Sequence, residues 1–165
     1  MKKLNYIVTH SHLVKTPKRV DEKLKSTYEE YHEYLKTITD VCDKNLLDLY
    51  NKTEELHDYL FKEIKYSPWK KTVSIKFYNY GYIYEDCTII IKKVHKISIK
   101  GEYDDEDYDE LLRKPIDSID VCEIGYYDGK NYIGMKTWQG LYIDIYFEKM
   151  DVIGKMINTE SKFNI

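Results

Sequence analysis

The stretch IGYYDGKNYI, residues 124 to 133, decides the fold class of this chain. At its centre, Asp128-Gly129 favours a two-residue turn between antiparallel strands, because both turn positions need a positive φ. Aromatic and β-branched residues flank the pair on both sides, as they do in strands. We therefore predict an antiparallel hairpin here, followed by a second turn at Gln139-Gly140.

Alternation of apolar and polar residues extends the predicted sheet in both directions. Residues of one parity face inward in such a strand, while the polar residues between them face water. The inward residues that we predict are Val73, Ile75, Phe77, Leu141, Ile143, Ile145 and Phe147. Residues 87 to 100 also alternate, and they form either one long strand or a hairpin folded near Lys92-Lys93.

The N-terminal part has a different, helical pattern. A short strand is predicted from Leu4 to Thr9, and Pro17 then suits the first turn of a helix. Apolar residues follow in steps of three and four with no Gly or Pro before residue 65. Because Asn45 interrupts this apolar stripe, we expect two helices, at 17 to 40 and 44 to 65; a single bent helix is the alternative.

These patterns predict an α+β fold in a single domain of residues 1 to 165. A helical hairpin or long bent helix (residues 1 to 66, with the short strand) packs on a twisted, mainly antiparallel β-sheet (residues 67 to 165). Met150, Ile153 and Ile157 recur at helical spacing, so a short C-terminal helix closes the domain. We also expect that the helical arm could pair two copies of the chain in a homodimer.

The composition is that of a folded protein from an AT-rich genome. Of 165 residues, 42% are hydrophobic, which is too many for a disordered chain. The chain contains no alanine but 18 tyrosines, and alanine codons are GC-rich. This bias indicates a low-GC bacterium or one of its phages and plasmids.

The three cysteines and the hydropathy predict a cytoplasmic protein of a bacterial host cell. Cys42, Cys87 and Cys122 are odd in number and lack CxxC spacing, which disfavours a disulfide framework or a zinc site. No apolar run approaches the ~18 residues of a membrane span or the length of a signal peptide. We expect no contact with a membrane.

An acidic segment is the strongest charge feature of the sequence. Seven carboxylates occupy the nine residues from Glu102 to Glu110, and they repel one another unless a cationic surface meets them. One interpretation is a solvated loop between strands. The functional interpretation is a face that docks on a basic protein surface, such as one that normally holds nucleic acid. The predicted partner-binding residues are Tyr103, Asp104, Asp105, Glu106, Asp107, Tyr108, Asp109 and Glu110.

A second, alternative site uses lysines on the predicted sheet. Lysines beside an aromatic ring suit single-stranded nucleic acid. The residues of this Lys/Tyr sheet face are Lys76, Tyr78, Lys92, Lys96 and Lys100. Against it, only Arg19 and Arg113 carry a guanidinium group, and solubilising lysines on an exposed sheet face are the better explanation of the pattern.

The sequence contains few patterns that indicate catalysis or metal binding. His10 and His12 follow the first predicted strand and are weak candidates for metal ligands in a hydrolase, although further ligands are not evident. No phosphate-binding loop, dinucleotide fingerprint or nucleophile motif occurs, so we predict no catalytic residue and no cofactor. The leading hypothesis is a non-catalytic protein-binding module, such as a phage or mobile-element inhibitor that occludes a host defence protein.

Overall fold

Two helices and eight strands make up the part of the chain that the computed structural model describes, namely residues 17–52, 56, 59–78, 84–101, 117–138 and 140–156. The helices are α1 (Pro17–Ile38) and α2 (Lys44–Lys52). The strands are β1 (Leu60–Ser67), β2 (Thr72–Tyr78), β3 (Tyr84–Lys92), β4 (Lys96–Gly101), β5 (Asp117–Tyr127), β6 (Lys130–Thr137), β7 (Leu141–Phe147) and β8 (Lys149–Met156).

The Asp128-Gly129 turn joins β5 to β6 as its sequence predicts. Both residues have positive φ, at 51° and 76°, and Tyr127 pairs with Lys130 across the two-residue loop. At the next turn Gly140 has a φ of 85° and its N–H donates to the Thr137 carbonyl at 3.0 Å. The local turn chemistry therefore sets the register of β5, β6 and β7.

All strand pairings are antiparallel, in the order β4-β7-β6-β5-β1-β2-β3-β8. Two four-stranded halves meet where β1 pairs briefly with β5 through Leu60 and Phe61. They also meet where β3 continues into β4 and β7 continues into β8. Around that bend Lys92 pairs with Lys149, and Lys96 pairs with Tyr146.

The core lies on the faces that the alternating pattern predicts. Val73, Ile75 and Phe77 of β2 are buried, as are Ile143, Ile145 and Phe147 of β7. Both halves contribute to one buried cluster, together with residues of the two helices.

The helices cover one side of this core. Tyr31 of α1 and Leu46 and Leu49 of α2 are completely or almost completely buried. Asp43 caps α2, because its Oδ1 accepts hydrogen bonds from the N–H groups of Asn45 at 2.9 Å and Leu46 at 3.2 Å. The apolar stripe of the helical segment therefore packs on the sheet.

The predicted second helix, 44 to 65, is wrong from Leu60 onward, where the chain is a strand. Residues 60–67 form β1, which pairs with β2 and contains a bulge between Phe61 and Glu63. The bulge adds one residue to the strand, so the partly buried Phe61 and Ile64 are three positions apart. That spacing imitates one face of a helix, which is why the sequence pattern was misleading.

The predicted C-terminal helix is also wrong. Residues 149–156 form β8, which pairs along β3, and Met150 and Val152 face the core at strand spacing. Ile153, which the helical pattern would bury, is 58% exposed. Long-range pairing with β3 overrides a weak helical spacing here.

The fold is thus dominated by an antiparallel sheet of eight strands with two short helices, and not by a helical hairpin or long bent helix packed on a sheet. The alternative hairpin near Lys92-Lys93 is also wrong, because β3 and β4 pair with different partners. The strand predicted at 4 to 9 lies outside the described residues. No helix in the described ranges combines the length and apolar character needed to cross a membrane.

Candidate functional site

An exposed tryptophan stands at the tip of the β1–β2 hairpin. The side chain of Trp69 is 97% exposed, although large apolar side chains are usually at least partly covered. The turn beneath it is well fixed: the Lys71 N–H donates to the Pro68 carbonyl at 3.2 Å, and the Thr72 hydroxyl donates to the Lys70 carbonyl at 3.0 Å. The indole is therefore presented to solvent from an ordered turn.

This tip is anchored to the bend between β3 and β4. The Val94 N–H donates to the Lys71 carbonyl at 2.8 Å. Thr72 pairs with Lys92, which pairs in turn with Lys149 on β8. Since neighbouring strands lie about 4.8 Å apart, Thr72, Lys92 and Lys149 lie in one row across about 10 Å.

We call this part of the molecule the basic end. Its lysines are all exposed: Lys70, Lys71, Lys92, Lys93, Lys96 and Lys149. Among its described residues, two carboxylates, Glu148 and Asp151, oppose these six lysines, which leaves an excess of four positive charges. The chain as a whole carries a net charge of −3, so this local field has the opposite sign to the total.

The two carboxylates are held by lysines of the basic end. Glu148 accepts a hydrogen bond from Lys93 at 2.5 Å and lies 3.3 Å from His95 Nε2, and the hydrogen bond from Lys93 lowers the pKa of Glu148. Asp151 forms an ion pair with Lys92. Lys70 and Lys71, next to Trp69, have no ion pair with any of the described residues and can meet an external anion.

The predicted Lys/Tyr sheet face is divided by the fold. Lys92 and Lys96 lie at the basic end. Lys76 instead lies 3.6 Å from Glu63, and the Lys62 ammonium lies 4.0 Å from the centre of the Tyr78 ring. Lys76 and Lys100 are each four residues along a strand from the basic end, or about 13 Å. The structure therefore brings two of the five residues to the basic end and sets the other three apart.

The remaining predicted site residues cannot be placed. The acidic segment, residues 103 to 110, lies outside the described residues, as do His10 and His12. In the ranges that the structure describes, no three His, Cys, Asp or Glu side chains are grouped so that they could hold a metal ion. The three cysteines are buried thiols, and burial raises the pKa of Cys42 to about 11 and of Cys87 to about 12.

A second notable feature is an aromatic layer, formed by Tyr34, Tyr127, Tyr132 and Tyr146. Successive ring centres in this layer are 6.0, 5.6 and 5.0 Å apart. The Tyr132 hydroxyl donates to Asp144 at 2.7 Å, and its ring covers the strand beside Gly134. An aromatic ring that folds over a strand glycine protects the backbone there.

A buried carboxylate lies under this layer. Glu123 is 0% exposed and pairs across the strands with Gly134. Burial raises the pKa of all four tyrosines of the aromatic layer, and the negative charge of Glu123 raises it further. Their hydroxyls therefore stay protonated to a higher pH than the hydroxyl of an exposed tyrosine. Since Tyr132 and Glu123 are closed to solvent, we assign this part of the layer to stability, while Tyr34, Tyr127 and Tyr146 are half-buried.

Trp69 is the residue that sequence reasoning missed. None of the sequence patterns described above gives Trp69 a role. The available signal was a large aromatic residue inside a polar turn, between Pro68 and the pair Lys70-Lys71. The second part of the site is visible only in the folded chain, which brings Lys92, Lys93 and Lys149 to the same end of the sheet as the Trp69 turn.

Comparison with known proteins adds a likeness to a solved structure. No family model matches the sequence, and no curated protein matches it. Among solved structures, the chain is similar to an uncharacterized protein from Neisseria gonorrhoeae, with 18% identity and a TM-score of 0.42 over 60% of this chain and 93% of that one.

Proposed function

We propose that this protein is a non-catalytic binding protein that holds an anionic macromolecule at the basic end. The observation that carries the proposal is the 97% exposure of Trp69 beside Lys70 and Lys71. Tryptophan is enriched among residues that dominate binding energies, and it offers a large contact area. Its position on a hydrogen-bonded turn reduces the conformational entropy lost on binding.

The charge distribution supports an anionic partner. Interactions between exposed charges are screened within about 8 Å at physiological salt, so a partner at the basic end responds mainly to the charges of that end and less to the net charge of the chain. The excess of four positive charges at the basic end therefore attracts an anion in spite of the net charge of −3. Binding of this kind weakens as the salt concentration rises.

Retention on immobilised heparin, a polyanion without bases, tests this proposal. We expect the wild-type protein to bind at low salt and to elute with a salt gradient. The double variant Lys70→Glu/Lys71→Glu should elute much earlier or fail to bind. Its matched control is Lys76→Glu/Lys100→Glu, which changes the net charge equally but alters lysines outside the basic end. The proposal fails if the wild type does not bind, or if both variants lose retention equally.

The acidic segment remains a separate prediction. We propose that residues 103 to 110 dock on a basic protein surface, which would suit an inhibitor of a host defence protein from a phage or mobile element in the cytoplasm. Charge reversal from Asp104 to Glu110 should abolish the pull-down of such a partner. Unchanged pull-down would contradict the docking prediction without affecting the role of Trp69.

A further inference from the structure

We infer that the ligand of the basic end is single-stranded nucleic acid, with a base stacked on Trp69 and phosphates held by the surrounding lysines. This inference rests on the proposed function, because it names the partner of the same site. It also replaces the predicted Lys/Tyr sheet face with a different set of residues, of which only Lys92 and Lys96 are shared.

The geometry of Trp69 suits stacking. Both faces of an indole that is 97% exposed are open, so a base can lie flat against one of them. The turn is held by the hydrogen bonds of Lys71 and Thr72 and by the bond from Val94 to the Lys71 carbonyl. A base therefore meets a platform that is already in place.

The flanking residues favour a nucleic acid over an acidic protein. In a protein interface, a tryptophan hot spot usually lies within a packed, desolvated patch. Here its chain neighbours on one side are Lys70 and Lys71, and the lysines of β3 and β8 lie behind them. A single aromatic ring with several ammonium groups around it matches a ligand in which bases and phosphates follow one another.

The same residues favour single strands and predict little sequence preference. Within a duplex the faces of the bases are already stacked on each other, so an isolated tryptophan gains little there. The basic end contains lysines and no arginine among its described residues, and so lacks the forked donor that reads guanine edges. Stacking and phosphate contacts tolerate any base.

Fluorescence anisotropy with labelled (dT)20 and (rU)20 at low salt tests the inference. We expect binding that weakens with salt and a Trp69→Ala variant that binds about 5- to 100-fold more weakly, because one stacked base contributes at that level. Trp69→Phe should keep part of the affinity, because phenylalanine still offers a ring. The matched control is Trp138→Ala, since Trp138 is 63% exposed at the β6–β7 turn, outside the basic end.

The outcomes separate this inference from the proposed function. One outcome is retention on heparin that depends on Lys70 and Lys71, together with oligonucleotide binding that is unchanged in Trp69→Ala. This outcome would overturn the inference but would still support the proposed function. If the wild-type protein shows neither retention on heparin nor binding of the oligonucleotides, both the inference and the proposed function are overturned. Equal affinity for a duplex of the same length would overturn the preference for single strands. A polyglutamate peptide that binds as tightly, with the same dependence on Trp69, would identify an acidic protein as the partner instead.

Discussion

The hydroxyl of Tyr31 makes the hydrogen bonds to the Ile124 backbone that a neighbouring strand would otherwise make. It accepts a hydrogen bond from the Ile124 N–H at 2.7 Å and donates one to the Ile124 carbonyl at 3.0 Å. Three residues further along α1, the Tyr34 hydroxyl does the same for Tyr126, at 2.9 and 3.2 Å. Among the described residues, β1 pairs with β5 at Asp117 and Ser118, and the Ile119 N–H donates to the Tyr59 carbonyl at 2.8 Å just before β1. The two tyrosines therefore satisfy a part of the β5 edge further along the strand.

Tyr31→Phe should lower the free energy of unfolding by about 1–3 kcal/mol, because it leaves a buried N–H and carbonyl without their partner. Tyr34→Phe should cost less, since Tyr34 is only half-buried and water can replace its hydroxyl. Urea denaturation measures both effects. Tyr66→Phe, at an exposed position on β1, is the control. Equal stability of Tyr31→Phe and the control would contradict the role of the hydroxyl.

Asp43 links α2 to the last strand. Besides capping α2, its Oδ2 accepts from the Met150 N–H at 3.4 Å, so Asp43→Ala removes partners from both elements. We expect a loss of about 1–2 kcal/mol in the free energy of unfolding. Asp43→Asn keeps one acceptor oxygen and should lose less. Asp48→Ala, which removes only an exposed ion pair with Lys52, should change stability by no more than about 0.5 kcal/mol.

Gly134→Ala should disturb the aromatic layer. The added methyl group would overlap the Tyr132 hydroxyl, which Asp144 holds in place, and we expect a cost of about 1–3 kcal/mol. In a Tyr132→Phe background the overlap with the hydroxyl disappears, so the same change should cost less. A double-mutant cycle measures this coupling. Gly129→Ala is the contrasting case: no atom lies within 4 Å, and only its φ of 76° opposes a side chain, at about 1 kcal/mol. Additive costs for the Tyr132–Gly134 pair would contradict the overlap.

Alkaline pH should destabilise the protein through its buried thiols. The pKa values of Cys42 and Cys87 are raised by burial to about 11 and 12, from an ordinary value of 9.0. Above pH 9 the unfolded chain therefore loses protons that the folded chain keeps, and stability falls as the pH rises toward 11. The expected loss is about 1 kcal/mol for each thiol at pH 10.

Urea midpoints at pH 8 and pH 10 measure this effect. Cys87→Ala should be less stable than the wild type at pH 8, because it leaves a small cavity, but its stability should fall less between the two pH values. A wild-type midpoint that does not change over this range would show that the thiols do not titrate on unfolding.

Much of the sheet could be predicted from local sequence. The Asp128-Gly129 turn needs only two residues that accept positive φ, and the inward residues of β2 and β7 follow from a period of two. The two predicted helices that are wrong, over residues 60 to 65 and at the C-terminus, lie where strand pairing overrides the local pattern. The bulge after Phe61 gives β1 a helical spacing, and β8 pairs with β3 despite a weak helical pattern.

The sequence by itself determined the turns, the alternating core residues and the start of α1, because each depends on the chemistry of neighbouring residues. Only the tertiary structure decided which strands pair, how the Tyr31 hydroxyl completes the edge of β5, and that the turn of Trp69 lies at the same end of the sheet as Lys92 and Lys149. Those relationships join residues far apart in the chain. No local propensity encodes them, because they depend on the combined pairing of all the strands.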